Sequence, residues 1–258
     1  MTILKLNNVS ITFGGLKAVS NIDMTVEKGQ IVGIIGPNGA GKTTLFNLLT
    51  GMYAPTSGEI LLYKDNPIKL NGLKPYKITG HGIARTFQNI RLFRDMTVLD
   101  NVKIGFHSRT KCGFLSSVIR LPSYYDEEKR VREDAEELLK MLNLDNKKHE
   151  FAKNLSYGEQ RRLEIARALA SEPSILLLDE PAAGMNPNET IELTHLITWI
   201  RDKFNLTIIL IEHDMKLVMG ICNKVYVLNY GNLIAGGTPD EVQNDPQVIE
   251  AYIGSESA

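Results

Sequence analysis

Two hydrophobic rhythms alternate along this chain. Gln30–Ile35, Ile175–Leu178 and Thr207–Ile211 are short, nearly unbroken aliphatic runs, the pattern of strands buried on both faces of a parallel sheet. Thr44–Thr50 instead carries a helical apolar stripe closed by Gly51, and Ile191–Lys203 repeats that helical spacing. The alternation predicts an α/β fold. Leu4–Val26 alternates only weakly around a Gly14-Gly15 turn, as expected of antiparallel strands forming a lip before the first buried strand. Glu59–Tyr63 is strand-like and is followed by polar turns, the segment Tyr76–Gly82, and a short strand, Ile83–Gln88, ending in a polar amide. Near the C-terminus Val225–Leu228, a Gly231-Asn232 turn and Leu233–Ala235 predict a hairpin, with a closing helix after it.

The texture changes between Asn89 and Asn154, where charged helical sequence replaces the apolar β runs. In Asp126–Leu144 the residues Val131, Ala135, Leu138, Leu139 and Leu142 share one helical face. This predicts a helical subdomain over 89–154 inserted into one domain, running on into a helix at 155–170 that carries Leu163, Ala166, Leu169 and Ala170. Phe106–Tyr125 is less regular and is expected to be a loop with short helix.

Composition narrows the setting. Lys plus Arg (29) balances Asp plus Glu (30), so no bulk basic field points to nucleic acid. Cys112 and Cys222 are far apart and form no C-x-x-C, which favours structural thiols in a reduced compartment. Met1–Leu6 lacks the sections of a signal peptide, and no apolar run approaches the ~18 residues that span a bilayer. A membrane role is therefore expected to come through partners.

The candidate chemistry gathers at the ends of the buried runs. Gly36-Pro37-Asn38-Gly39-Ala40-Gly41-Lys42-Thr43 fills every position of G-x-x-x-x-G-K-[S/T], between a strand and a helix. Glycines there let backbone N–H groups converge on phosphate oxygens, Lys42 reaches the β- and γ-phosphates, and the Thr43 hydroxyl suits Mg²⁺. Asp179 and Glu180 end the aliphatic run Ile175–Leu178, at the edge where open α/β sheets bind ligands. Asp179 suits Mg²⁺ and Glu180 can orient or deprotonate a water; the alternative is that either one caps the next turn. Glu212-His213-Asp214 ends another buried run, where His213 is a candidate contact for a γ-phosphate or the attacking water. Gln88 could ligate Mg²⁺ or hold a water, although its position alone favours a solvated strand end. Ser156 and Glu159 make an S-x-x-E capping box whose helix N-terminus is also an anion site, with Ser156 and the Gly158 N–H as donors. Phe13 could stack on a purine, but a lone aromatic is more often core.

Together these stretches resemble the ABC ATPase family over nearly the whole chain. Gly36–Thr43 matches its Walker A loop, Gln88 its Q-loop, Leu155–Gln160 its signature (LSYGEQ for the usual LSGGQ), Ile175–Asp179 its Walker B strand, Glu180 its catalytic glutamate and His213 its switch histidine. The resemblance implies a P-loop NTPase core formed by 1–88 and 155–258, with a mostly parallel sheet, an N-terminal antiparallel β lip and the inserted helical subdomain. It implies ATP and Mg²⁺, with Phe13, Val19 and Gly36–Thr44 (Gly36, Pro37, Asn38, Gly39, Ala40, Gly41, Lys42, Thr43, Thr44) at the nucleotide. Thr43, Gln88 and Asp179 are implied at the cation, and Glu180, His213 and Gln88 in hydrolysis. In relatives two ATPase subunits face head to tail, so Ser156, Gly158 and Glu159 are implied to act across a dimer. Asn186 stands in the D-loop where many relatives carry aspartate.

More narrowly, Arg85–Phe93, Glu180–Pro187 and the ending Tyr252-Ile253-Gly254 resemble the branched-chain amino acid uptake ATPases, although relatives for urea or lipopolysaccharide share parts of this pattern. That resemblance implies membrane permease subunits, a second ATPase subunit and, indirectly, an extracytoplasmic solute receptor. It implies no nucleic acid, and a peripheral place on the cytoplasmic face of the cell membrane. A family member acting on nucleic acid would carry a long coiled-coil insertion, tandem ATPase domains or a basic surface, and the sequence has none of these.

Overall fold

The computed structural model describes residues 1–108 and 122–256. It forms two compact units, residues 1–78 with 174–258, and residues 79–173. The first unit opens with β1 (Thr2–Phe13), β2 (Leu16–Glu27), β3 (Ile31–Ile35), α1 (Lys42–Leu49), β4 (Ser57–Tyr63) and β5 (Pro67–Lys69). After α2 (Pro75–Gly80), the second unit holds β6 (Ile83–Arg85), α3 (Val98–Gly105), α4 (Pro122–Met141) and α5 (Tyr157–Leu169). The chain returns to the first unit with β7 (Ile175–Asp179), α6 (Pro187–Phe204), β8 (Thr207–Ile211) and α7 (Met215–Ile221). It ends with β9 (Lys224–Asn229), β10 (Asn232–Gly237), α8 (Pro239–Gln243) and α9 (Pro246–Glu256).

The lip is an antiparallel sheet in the order β2-β1-β4-β5. Gly14 and Gly15, with φ of 50° and 92°, turn β1 into β2 directly after the Phe13–Leu16 pair. Within the first unit the larger sheet runs β10-β9-β3-β8-β7, and its four strands β9, β3, β8 and β7 are parallel. Every residue of β3, β7 and β8 is buried, so their continuous aliphatic runs are driven inward from both faces. Parallel pairing puts the C-terminal ends of these strands on one edge. The register is tight there, with Asp179 opposite Ile211 and Ile211 opposite Ile34.

In the second unit the face read from the spacing is inward at Ala135, Leu138 and Leu139 of α4 and at Leu142 just past it, all at most 9% exposed, while Val131 is half-buried. The outer face carries exposed i,i+4 ion pairs such as Arg132–Glu136, which solvent screening keeps weak. No helix among the described residues is long and apolar enough to cross a membrane.

Several elements differ from the sequence expectation. Tyr76–Gly82, which the sequence reading left without an element, is mostly helix, since α2 spans Pro75–Gly80. The strand expected to reach Gln88 ends at Arg85, because the carbonyls of Phe87 and Gln88 accept from the guanidinium of Arg161 at 2.7 and 3.0 Å. These bonds tie residues 87–88 to α5. The last hairpin turns on Tyr230-Gly231 instead of Gly231-Asn232, since Asn229 pairs with Asn232 and both residues between them have positive φ. The single closing helix is two, α8 and α9. Cys222 is buried and free, whereas Cys112 and most of the expected Phe106–Tyr125 loop lie outside the described residues.

Candidate functional site

The first unit builds its site on the edge where β3, β7 and β8 end. Leaving β3, the chain enters the glycine loop through Gly36, whose φ is 147° and whose place would put an added Cβ 2.0 Å from the carbonyl oxygen of Leu228. Gly41, at φ 101°, would bring a Cβ to 2.7 Å from the Ala18 carbonyl and is the left-handed residue that opens α1. The loop is therefore wedged between β9 and β2, and only glycine fits at both wedges. Lys42 is the first residue of α1, buried, with its Nζ donating to the carbonyls of Gly36 at 2.7 Å and Pro37 at 2.9 Å. Burial pushes its pKa down, while the charges of Glu180 and Asp179 push it up.

The loop opens on a cavity of about 350 Å³ lined by residues 38–44, Glu180, Leu16, Ala18 and Tyr230. The phosphate-loop candidates and Glu180 thus meet at one cavity. Sequence reasoning missed Leu16, Ala18 and Tyr230 as lining residues, because all three are brought there by hairpins that local pattern does not place. Val19, expected at the nucleotide, is fully buried beside Gly41, and its neighbour Ala18 lines the cavity instead. Phe13 is 42% exposed and packs edge-on to Tyr53, with ring centroids 5.1 Å apart. It is an exposed aromatic, not a core one.

Asp179 is buried at the end of β7, and Glu180, one residue on, is strained at φ 44°. The Glu180 N–H donates to the Ile211 carbonyl at 3.0 Å, which holds the β7 edge against β8. His213 is exposed, and its Nδ1 stands 3.7 Å from the Glu180 carboxylate. Before it, Glu212 is almost fully buried and accepts from the N–H groups of Ala182 at 2.8 Å and His213 at 3.2 Å. Desolvation raises the Glu212 pKa against the opposing pull of those N–H groups. Burial first, and then the Glu212 charge, pushes the nearby Cys222 thiol up to about 12.

Asn186 is an N-cap: its Oδ1 accepts from Asn188 and Glu189 at 3.0 and 3.1 Å, so its amide is committed to opening α6.

Ser156, Gly158, Glu159 and Gln88 belong to the second unit. Ser156 caps α5 in a full capping box, donating its hydroxyl and its N–H to Glu159 at 2.9 Å each. Lys147 lies 2.8 Å from the same carboxylate and is the main cause of its lowered pKa. The Gln88 side chain is exposed while its carbonyl is held by Arg161.

The oxygens of Thr43 and Asp179 are hard donors of the kind Mg²⁺ takes. Among the described residues no group of three or more His, Cys, Asp or Glu gathers into a cage. That donor set fits a cation that keeps waters and draws further oxygens from a bound phosphate chain.

A strand, a glycine loop with a buried lysine, a helix, and a carboxylate pair ending a nearby parallel strand define a P-loop nucleoside triphosphatase. Residues 19–183 match the ABC transporter family, and residues 232–258 match the branched-chain amino acid ATP-binding cassette transporter family. The chain is 48% identical over 252 residues to the high-affinity branched-chain amino acid transport ATP-binding protein LivG of Escherichia coli, covering 98% of each. It also superposes on the ADP conformation of MJ1267, an ATP-binding cassette of an ABC transporter, with a TM-score of 0.84, 33% identity and coverage of 98% and 99%. A dimeric post-hydrolysis cassette bound to ADP and Pi, MJ0796, matches with a TM-score of 0.75, 27% identity and coverage of 92% and 99%. The chain belongs to the ATP-binding subunits of ABC transporters, whose activity is ATP hydrolysis with Mg²⁺ and whose cassettes dimerise and work with membrane permeases.

Proposed function

We propose that this chain is the ATPase subunit of an importer of branched-chain amino acids, working peripherally at the cytoplasmic face of the cell membrane. The observation that carries the solute is the C-terminal stretch 232–258, which matches the branched-chain family specifically, where the general ATPase match ends at 183. Its partners in this reading are permease subunits, a second ATPase subunit of the same or a related chain, and indirectly an extracytoplasmic solute receptor.

Each residue then has a task. The loop N–H groups of 38–43 and the ammonium of Lys42 bind the phosphate chain, with Lys42 exchanging its two carbonyl acceptors for phosphate oxygens. Thr43, Asp179 and Gln88 hold Mg²⁺, which neutralises charge on the β- and γ-phosphates when bound. Glu180 takes a proton from the attacking water, and His213 beside it steadies that water or the γ-phosphate. Phe13 stacks on the adenine, with Tyr53 buttressing its edge. Ser156 and Gly158 of one subunit bind the γ-phosphate held by the other, Ser156 first releasing its hydroxyl from Glu159. Loss of that phosphate then opens the dimer, a two-state change that the helical unit passes to the permease.

The test is reconstitution of the chain with its permease and receptor in vesicles. Leucine, isoleucine or valine bound to the receptor should raise ATP turnover and drive uptake. Stimulation by urea or by a lipopolysaccharide in their place would overturn the assignment of solute while leaving the ATPase reading intact.

A further inference from the structure

Glu212 has no assigned task in hydrolysis, yet it is buried where a carboxylate is expensive to keep. Its side chain is 1% exposed, at the first position past β8, and desolvation is the largest influence on it. An apolar side chain would fill that place without the desolvation penalty. What the carboxylate adds is two acceptor oxygens, each aimed at a different loop: Oε1 takes the N–H of Ala182 at 2.8 Å, and Oε2 takes the N–H of His213 at 3.2 Å. Ala182 lies two residues past Glu180, and the Glu180 N–H is itself bonded to the Ile211 carbonyl at 3.0 Å. Two hydrogen bonds therefore staple residues 180–182 to residues 211–212, and a third fixes His213 to the same carboxylate.

The segment so held is under strain. Glu180 sits at φ 44°, a left-handed conformation that a non-glycine residue leaves unless its surroundings over-determine it. The 3.7 Å approach of His213 Nδ1 to the Glu180 carboxylate depends on both loops keeping their places. We infer that Glu212 is a positioning residue for ATP hydrolysis, a buried brace that sets the Glu180 turn and the His213 loop in one fixed relation. This inference rests on the reading of Glu180 and His213 as the residues of the hydrolytic step.

The substitution E212Q tests it with little change of shape. A glutamine keeps one oxygen for Ala182, but its NH₂ then faces the His213 N–H, donor against donor. We expect kcat for ATP to fall ~10-fold or more, as small misplacements of reacting groups do, while KM stays within ~2-fold because the phosphate loop is untouched. Because the loss acts through His213, adding E212Q to H213A should lower kcat by less than ~3-fold beyond H213A alone. A carboxylate that only satisfies loop N–H groups would lower the melting temperature and leave kcat of the folded protein within ~2-fold of wild type, and that result overturns the inference. So does a full ~10-fold further loss in the H213A background. If E212Q does not fold, E212D, too short to span both donors, is judged by the same split of kcat from KM. E180Q measured alongside separates the two claims: wild-type turnover in E180Q defeats the reading of the site itself. Lost turnover in E180Q with normal turnover in E212Q defeats only the brace.

Discussion

Lys42 illustrates how a single side chain is prepared for its ligand. Its ammonium is buried at the mouth of α1 and satisfied by two loop carbonyls, so the site holds a positive charge in place before any phosphate arrives. Those carbonyls are weaker partners than phosphate oxygens, and the exchange favours binding. K42A should lose nucleotide affinity, measured by calorimetry with Mg²⁺ and ATP; unchanged affinity would remove the loop from the phosphate role. Glu180 differs in kind, because it lies at the cavity wall without occupying the loop. E180Q should still bind ATP and turn it over at least ~100-fold more slowly in a phosphate-release assay. Both positions were legible from residue order, since the glycine loop that carries Lys42 follows β3 and Glu180 directly follows β7. Glu212 was not, because its neighbours Ala182 and Cys222 come from other elements and a strand-end glutamate reads locally as solvated.

Among the elements, α5 carries the least expected chemistry. Its sequence predicts a capped helix with an apolar face, and the capping box is present as read. The helix also buries Arg161 and Glu164 away from that face, with side-chain exposures of 0% and 1%, paired at 2.9 Å. Arg161 donates to the Phe87 and Gln88 carbonyls, and Glu164 accepts from the N–H groups of Phe87 and Arg91 at 3.4 and 3.2 Å. The pair thereby fixes the backbone on both sides of Gln88. Burial raises the Glu164 pKa against the pull of the Arg91 N–H and the Arg161 charge, so its ionised form depends on its partners. R161M removes the partner and strands a buried carboxylate, and should destabilise the protein by about 3–5 kcal/mol in a thermal melt. Pairing it with E164L removes the stranded charge but takes away the partners that the pair gives the Phe87 and Gln88 carbonyls and the Phe87 and Arg91 N–H groups, so it should recover only part of that loss. A melt unchanged in R161M would show that the pair carries little of the unit's stability.

At the scale of the whole molecule, coupling to a permease needs a surface that the ATPase cycle does not itself use. In the second unit Phe93 is 49% exposed, with Arg167 over its ring at 5.7 Å, beside a cavity of about 430 Å³ that Ile104 and Arg91 also line. We propose this apolar wall rimmed by arginines as the candidate surface for docking a membrane subunit. F93E should leave ATPase activity of the isolated subunit within ~2-fold and abolish uptake in reconstituted vesicles; uptake at the wild-type rate would reject this surface. The sequence by itself determined the α/β class, the order of strand, loop and helix, and the phosphate and carboxylate motifs, because each rests on spacing within a few residues. Only the tertiary structure decided which side chains share the cavity with the loop, where the β9–β10 hairpin turns, and that Glu212, Arg161 and Glu164 are buried braces. Those depend on strands and loops distant in sequence meeting at one edge or one helix face, and hydrogen bonds between such segments leave no periodic trace in the chain.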